Sequence, residues 1–121
     1  EEINWFELAG YDRNPGMSVS VLKADHHGSC NGVTPRYLSL IHAQWVAVSI
    51  GANNEYGHMH TQAKQIYRSA GIPWYRTDEN GTITIRSPGT PNGGYTIVPA
   101  RPGTDLNGPS DRHSNQLDCA F

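Results

Sequence analysis

Two short stretches concentrate the side chains able to hold a metal or move a proton. They are Asp25-His26-His27-Gly28-Ser29 and Asn53-Asn54-Glu55-Tyr56-Gly57-His58-Met59-His60, and together they contain four of the six histidines. Neutral imidazole is a common ligand for zinc, manganese and iron, and its pKa lets it exchange protons near neutral pH. A single histidine more often caps an element or meets solvent; two clusters together carry more weight. Gly28 lets the backbone turn tightly or approach a ligand, and Ser29 can cap or bond a neighbouring imidazole. His58 and His60 are two apart, which in an extended loop sets them on opposite sides, so at most one faces a shared site. No Ser-His-Asp order, phosphate-cradling glycine loop or paired acid/base carboxylate stands out, and Asp78-Glu79 reads as a solvated turn.

The elements around these stretches must present them. Residues 17–24 alternate apolar and polar before turning mostly apolar, as a strand with one buried face does, and this strand ends at the first cluster. Thr34 can cap a helix with Pro35 at its first position, and Tyr37, Leu38, Ile41 and His42 follow at helical spacing. Residues 45–50, Trp-Val-Ala-Val-Ser-Ile, are rich in β-branched side chains and stop at Gly51, the pattern of a buried strand. The second cluster occupies the loop after it. Thr61 can then cap a helix to about Ala70, closed by Gly71. Pro73 to Thr77 reads as a strand, and Asn80-Gly81 signals a hairpin into residues 82–86. Strand, helix, strand, helix, hairpin implies helices on a sheet, an α/β core with both clusters just past strand ends, where such folds place their sites.

The chain of 121 residues carries 9 basic and 11 acidic side chains, a formal charge of −2. That balance argues against a broad basic stripe for duplex nucleic acid, though not against a small local patch. The apolar share, 36%, lies below the roughly 45–50% common in globular domains. No apolar run approaches the roughly 18 residues of a membrane span, and the start lacks the basic and apolar regions of a signal peptide, so it reads as internal. Cys30 and Cys119 form either one disulfide pinning the tail, which implies an oxidising compartment, or two separate thiols in a reducing one. Few lysines, that bridge and the Asn80-Gly81-Thr82 sequon are compatible with secretion, although the Asn-Gly turn explains Asn80 without a sugar. After Ser87 the composition turns rich in proline and glycine, and only Tyr95 to Val98 looks like a strand; residues 87–121 read as a tail or wrapping arm, with partial disorder the plainer reading.

Four blocks in order, Leu22-Lys23-Ala24-Asp25-His26-His27-Gly28-Ser29, Trp45 to Gly51, Asn53 to His60 and Tyr75 to Ile85, resemble the C-terminal part of metallo-β-lactamase-fold hydrolases, most of all the ComEC-type competence domain and its free-standing relatives. The likeness spans residues 17–86. It implies that residues 1–86 are the C-terminal portion of an αββα sandwich whose other half, with the His-x-His-x-Asp-His motif and most metal ligands, lies outside this chain, in a second chain or a lost piece.

The resemblance also implies roles. His27 would be a metal ligand and His26 the reserve, for one or two divalent ions, zinc first and manganese or iron after it. His58 would line the active site, binding substrate oxygen or donating a proton, with Asn54 and Tyr56 positioning it; His60 is as easily structural. Asp25 would orient His26 or stand exposed. The implied reaction is hydrolysis by metal-activated water of a phosphodiester, nucleic acid included, with lactone or other ester and amide hydrolysis as the alternative within this fold. The alternative from another class is a non-catalytic binding or structural piece, since the chain offers fewer ligands than a zinc site needs.

Overall fold

The computed structural model describes residues 10 and 17–103. Cys119, and with it the expected Cys30–Cys119 bridge, lies outside the described residues, as do 104–121 of the arm. The described chain is mixed α/β. Strand β1 (Val21–Lys23) leads through two 3₁₀ turns to helix α1 (Pro35–Ile41), then β2 (Trp45–Val48), α2 (Thr61–Ser69), β3 (Trp74–Arg76), a single helical turn (Thr77–Asn80), β4 (Ile83–Arg86) and β5 (Thr96–Pro99).

Local chemistry sets the helix ends. The Thr34 hydroxyl accepts the Tyr37 N–H at 3.1 Å, and Pro35 occupies the first position, where its missing N–H costs nothing. Helix α2 departs from the expectation in one detail: His60, not Thr61, is its N-cap, and Thr61 is already helical. The cap uses no side chain, because the His60 ring is engaged elsewhere. At the other end Gly71 takes φ +69° while its N–H returns to Arg68 O and that of Ile72 to Tyr67 O, the paired closure that a left-handed glycine permits.

Strands β1, β2 and β3 form a parallel sheet in that order. Leu22, Val46 and Trp74 share one register row, and Val46 and Trp74 are fully buried with Leu38 and Ile41 of α1 and Ala63 and Tyr67 of α2. Burying one such side chain contributes roughly 1.5–3 kcal/mol, so this single layer of contact between sheet and helices holds the described core. By the two-residue alternation of strands the opposite face carries Trp45, Ala47 and Tyr75. The Trp45 and Tyr75 rings stack there at 4.7 Å, both half-buried.

The sequence expectation of a hairpin at Asn80-Gly81 is not met. Strand β4 pairs antiparallel with β5, and β3 pairs only with β2. The reason lies in the turn before Gly81. Arg76, 2% exposed, donates from Nε and Nη2 to both oxygens of Asp78 at 2.8 and 2.7 Å, and Asn80 Oδ1 accepts the Arg76 N–H. Asp78 is therefore a buried ion-pair partner and not part of a solvated turn. Asn80 then donates to the carbonyls of Arg101 and Gly103, tying the β4–β5 ribbon to the turn. Strand β5 lies beyond residue 86, so the arm as described contains a strand paired with β4. Among the described residues no helix is long and apolar enough to cross a membrane.

Candidate functional site

The first histidine stretch leaves β1 in an uncommon conformation. His26 (φ 46°, ψ 40°), His27 (φ 57°, ψ 30°) and Gly28 (φ 79°) are consecutively left-handed. Histidine is tolerated there better than branched residues, but each such residue still costs on the order of 1–2 kcal/mol. Gly28 is required: a Cβ at this position would lie 2.7 Å from Met59 Cγ and 3.2 Å from Val48 Cγ1. The tight bend seats the backbone on β2 and on the second stretch, and Gly28 O accepts the His60 N–H at 3.0 Å.

This bend turns both exposed imidazoles so that one nitrogen of each is held. His27 Nδ1 lies 2.8 Å from the Ser49 carbonyl at the end of β2. A carbonyl only accepts, so Nδ1 carries the proton and Nε2 keeps its lone pair, the arrangement that orients many metal-binding histidines. His26 Nδ1 is held in the same way by Asn31 Oδ1 at 2.9 Å. Asp25 is half-buried, and its charge adds to burial in raising the pKa of the Tyr67 phenol.

The second stretch is braced by one side chain. Asn54 Nδ2 donates to His58 O and Asn54 Oδ1 accepts the His58 N–H, both at 2.7 Å, so the amide closes the loop like a second strand. Tyr56, 70% exposed, stacks on the His58 ring at 5.7 Å. His58 is 8% exposed, with ring centroids of His60, His26 and His27 at 4.8, 5.6 and 6.5 Å from its own. Burial, reinforced by His60, His26 and His27, pushes its pKa from 6.5 down to about 4.

The rings of His58 and His60 are thus neighbours, whereas an extended loop would have placed them on opposite sides. The loop is bent, and the chain is already entering α2 at His60. His60 nonetheless spends both ring nitrogens on the fold: Nε2 donates to Tyr56 O at 3.2 Å and Nδ1 accepts the Cys30 N–H at 3.1 Å. The structure therefore brings His26, His27 and His58 together with Asn54 and Tyr56 beside them. It also includes two groups that sequence reasoning did not single out, Ser49 through its carbonyl and Asn31 through its side chain. A backbone acceptor leaves no trace in residue type; Asn31, five residues after His26, was the only one of the two open to notice. Among the described residues no group of three or more His, Cys, Asp or Glu is disposed to hold a metal ion.

No protein-family model matches the chain, and no solved structure matches it. Among characterised proteins, ComE operon protein 3 of Bacillus subtilis (strain 168) is 35% identical over 72 residues, a stretch covering 60% of this chain and 9% of that protein. The chain is similar to a short part of a ComE operon protein, and it spans about one tenth of that relative's length.

Proposed function

We propose that this chain is the C-terminal half of a metal-dependent hydrolase of the metallo-β-lactamase type, acting on a phosphodiester. The observation that carries the reading is His27, held in a left-handed bend with Nδ1–H fixed on Ser49 O and Nε2 left as a donor. Backbone held in a costly conformation at a strand end, with a directed imidazole, suits a ligand site. The likeness of 60% of the chain to a ComE operon protein is compatible with the same reading and points to a competence-related relative.

The donor chemistry fits a divalent ion in part. His27 and His26 each have a ring nitrogen available, but two donors are fewer than a closed zinc site uses, so further ligands must come from the partner half. A cation held there would supply a water of lowered pKa. The chain's own residues do the rest. His58, uncharged at neutral pH, offers a ring N–H to a substrate oxygen in a poorly hydrated position. Asn54 fixes its backbone and Tyr56 covers one of its faces. The Trp45–Tyr75 face of the sheet is where the partner half would pack, completing a sandwich.

The small number of donors favours a second reading, in which the chain without its partner half is a non-catalytic module. A panel of an activated phosphodiester and a lactone, assayed on the full chain with and without its partner half and with zinc, manganese or iron added back, separates these readings. Phosphodiester turnover that depends on metal and on the partner half supports the first; lactone turnover alone moves the substrate class; no turnover with both halves present leaves the module.

A further inference from the structure

The parallel pairing of β2 with β3 ends at Val48 opposite Arg76. One residue further, β3 has already coiled into the Thr77–Asn80 turn, so its backbone can no longer continue the ladder. Ile50 would then be left without partners on that side. The Thr77 side chain supplies them: its Oγ1 accepts the Ile50 N–H and donates to the Ile50 carbonyl, both at 2.7 Å. A hydroxyl that donates and accepts at once substitutes for one rung of a sheet.

The residue next to Ile50 is Ser49, whose carbonyl orients His27. We infer that Thr77 is a positioning residue for His27: by gripping both backbone groups of Ile50 it fixes the plane of the Ser49–Ile50 peptide, and so the carbonyl on which the His27 Nδ1–H rests. This inference rests on the functional reading of His27 given above. The grip is itself braced. The turn that presents Thr77 is locked by the Arg76–Asp78 ion pair and by Asn80 on the Arg76 N–H. A continuous series of short contacts therefore runs from the buried ion pair that joins β3 to the following turn to the imidazole beyond the end of β1. Thr77 touches neither substrate nor ligand, and it acts only through Ile50 and Ser49.

The test is long-range proton–nitrogen NMR of the full chain, labelled with nitrogen-15 and free of metal, with amide hydrogen exchange on the same samples. In the native protein the His27 Nδ1–H tautomer is expected, with the Ile50 amide protected. Thr77→Val keeps the shape and removes the hydroxyl; it should mix the His27 tautomers and speed exchange at Ile50 about tenfold, the equivalent of one lost hydrogen bond. Thr77→Ser should restore both, while the Asn31-held His26 signal stays in place throughout. An unchanged His27 tautomer in a folded Thr77→Val protein overturns the inference. Should that variant not fold, the native protein decides: an Ile50 amide exchanging as fast as exposed Gly51 overturns it, and a protected one beside a single His27 tautomer upholds it. If Thr77→Val mixes the tautomers while His27→Ala leaves metal content unchanged, the positioning link stands and the hydrolase reading fails.

Discussion

The His27 Nδ1–H donates to the Ser49 carbonyl at 2.8 Å, so a side chain following β1 takes its orientation from the end of β2. The two strands are parallel neighbours and finish at the same level, which brings the histidine bend, the Asn54 loop and the end of β3 to one edge of the sheet. Sites of open α/β sheets sit at this edge because the loops that leave it are free to vary while the strands hold them in register.

The bend that presents His27 depends on Gly28. Replacing Gly28 by Ala forces a Cβ to 2.7 Å from Met59 Cγ at a backbone angle that alanine avoids. The expected cost is about 1–3 kcal/mol, combining strain with displaced core atoms. Thermal unfolding of the variant should show the loss, and an unchanged melting temperature would mean that the bend is not fixed as described.

Asn54 should matter through the backbone of His58. Asn54→Ala removes two bonds of 2.7 Å and leaves the His58 N–H and carbonyl to find other partners, a cost of about 1–3 kcal/mol. Hydrogen exchange at the His58 amide should accelerate well before that at Val46. Equal protection in the variant and the parent would show that the loop holds without the amide.

His58 sets a pH dependence. Its pKa is 6.5 in an unfolded chain and about 4 in the fold, so between these values the unfolded chain binds more protons. Its contribution to stability is therefore full above pH 6.5 and is lost as pH falls from 6.5 toward 4. An NMR titration of the metal-free chain should find this imidazole still uncharged at pH 5.5, with denaturant midpoints falling over the same window. A His58 midpoint near 6.5 would contradict its burial.

The Arg76–Asp78 pair should be costly to break. Asp78→Ala takes from the buried Arg76 guanidinium the carboxylate bonded to Nε and Nη2 and leaves Glu79 Oε1, 3.8 Å from Nε, so the cost should lie toward the low end of the about 3–5 kcal/mol for breaking a buried pair. Denaturant unfolding measures it. A loss under 1 kcal/mol would mean that solvent or another group replaces the carboxylate.

Much of the sheet-and-helix layer was legible because its signals are local. Thr34 with Pro35, the apolar run 45–48 and Gly71 each mark an element without reference to the rest of the chain. The grouping of histidines after strand ends was legible for the same reason. The turn at 77–80 was not: Asp78 and Asn80 are ordinary turn residues in sequence, and only in the fold do the Arg76 guanidinium and the Arg76 N–H, respectively, turn them inward. The proximity of His58 to His60 was hidden by a bent loop, and the orientation of His27 by a backbone carbonyl, which any residue at position 49 could supply.

The most direct test of the account is metal analysis of the purified full chain together with its partner half, for the native protein and for His27→Ala, alongside phosphodiester turnover of the same samples. The account expects stoichiometric divalent metal and turnover in the native protein, with both reduced at least tenfold in the variant, as is common when a ligand or its orienting partner is lost. Metal content unaffected by His27→Ala would contradict it.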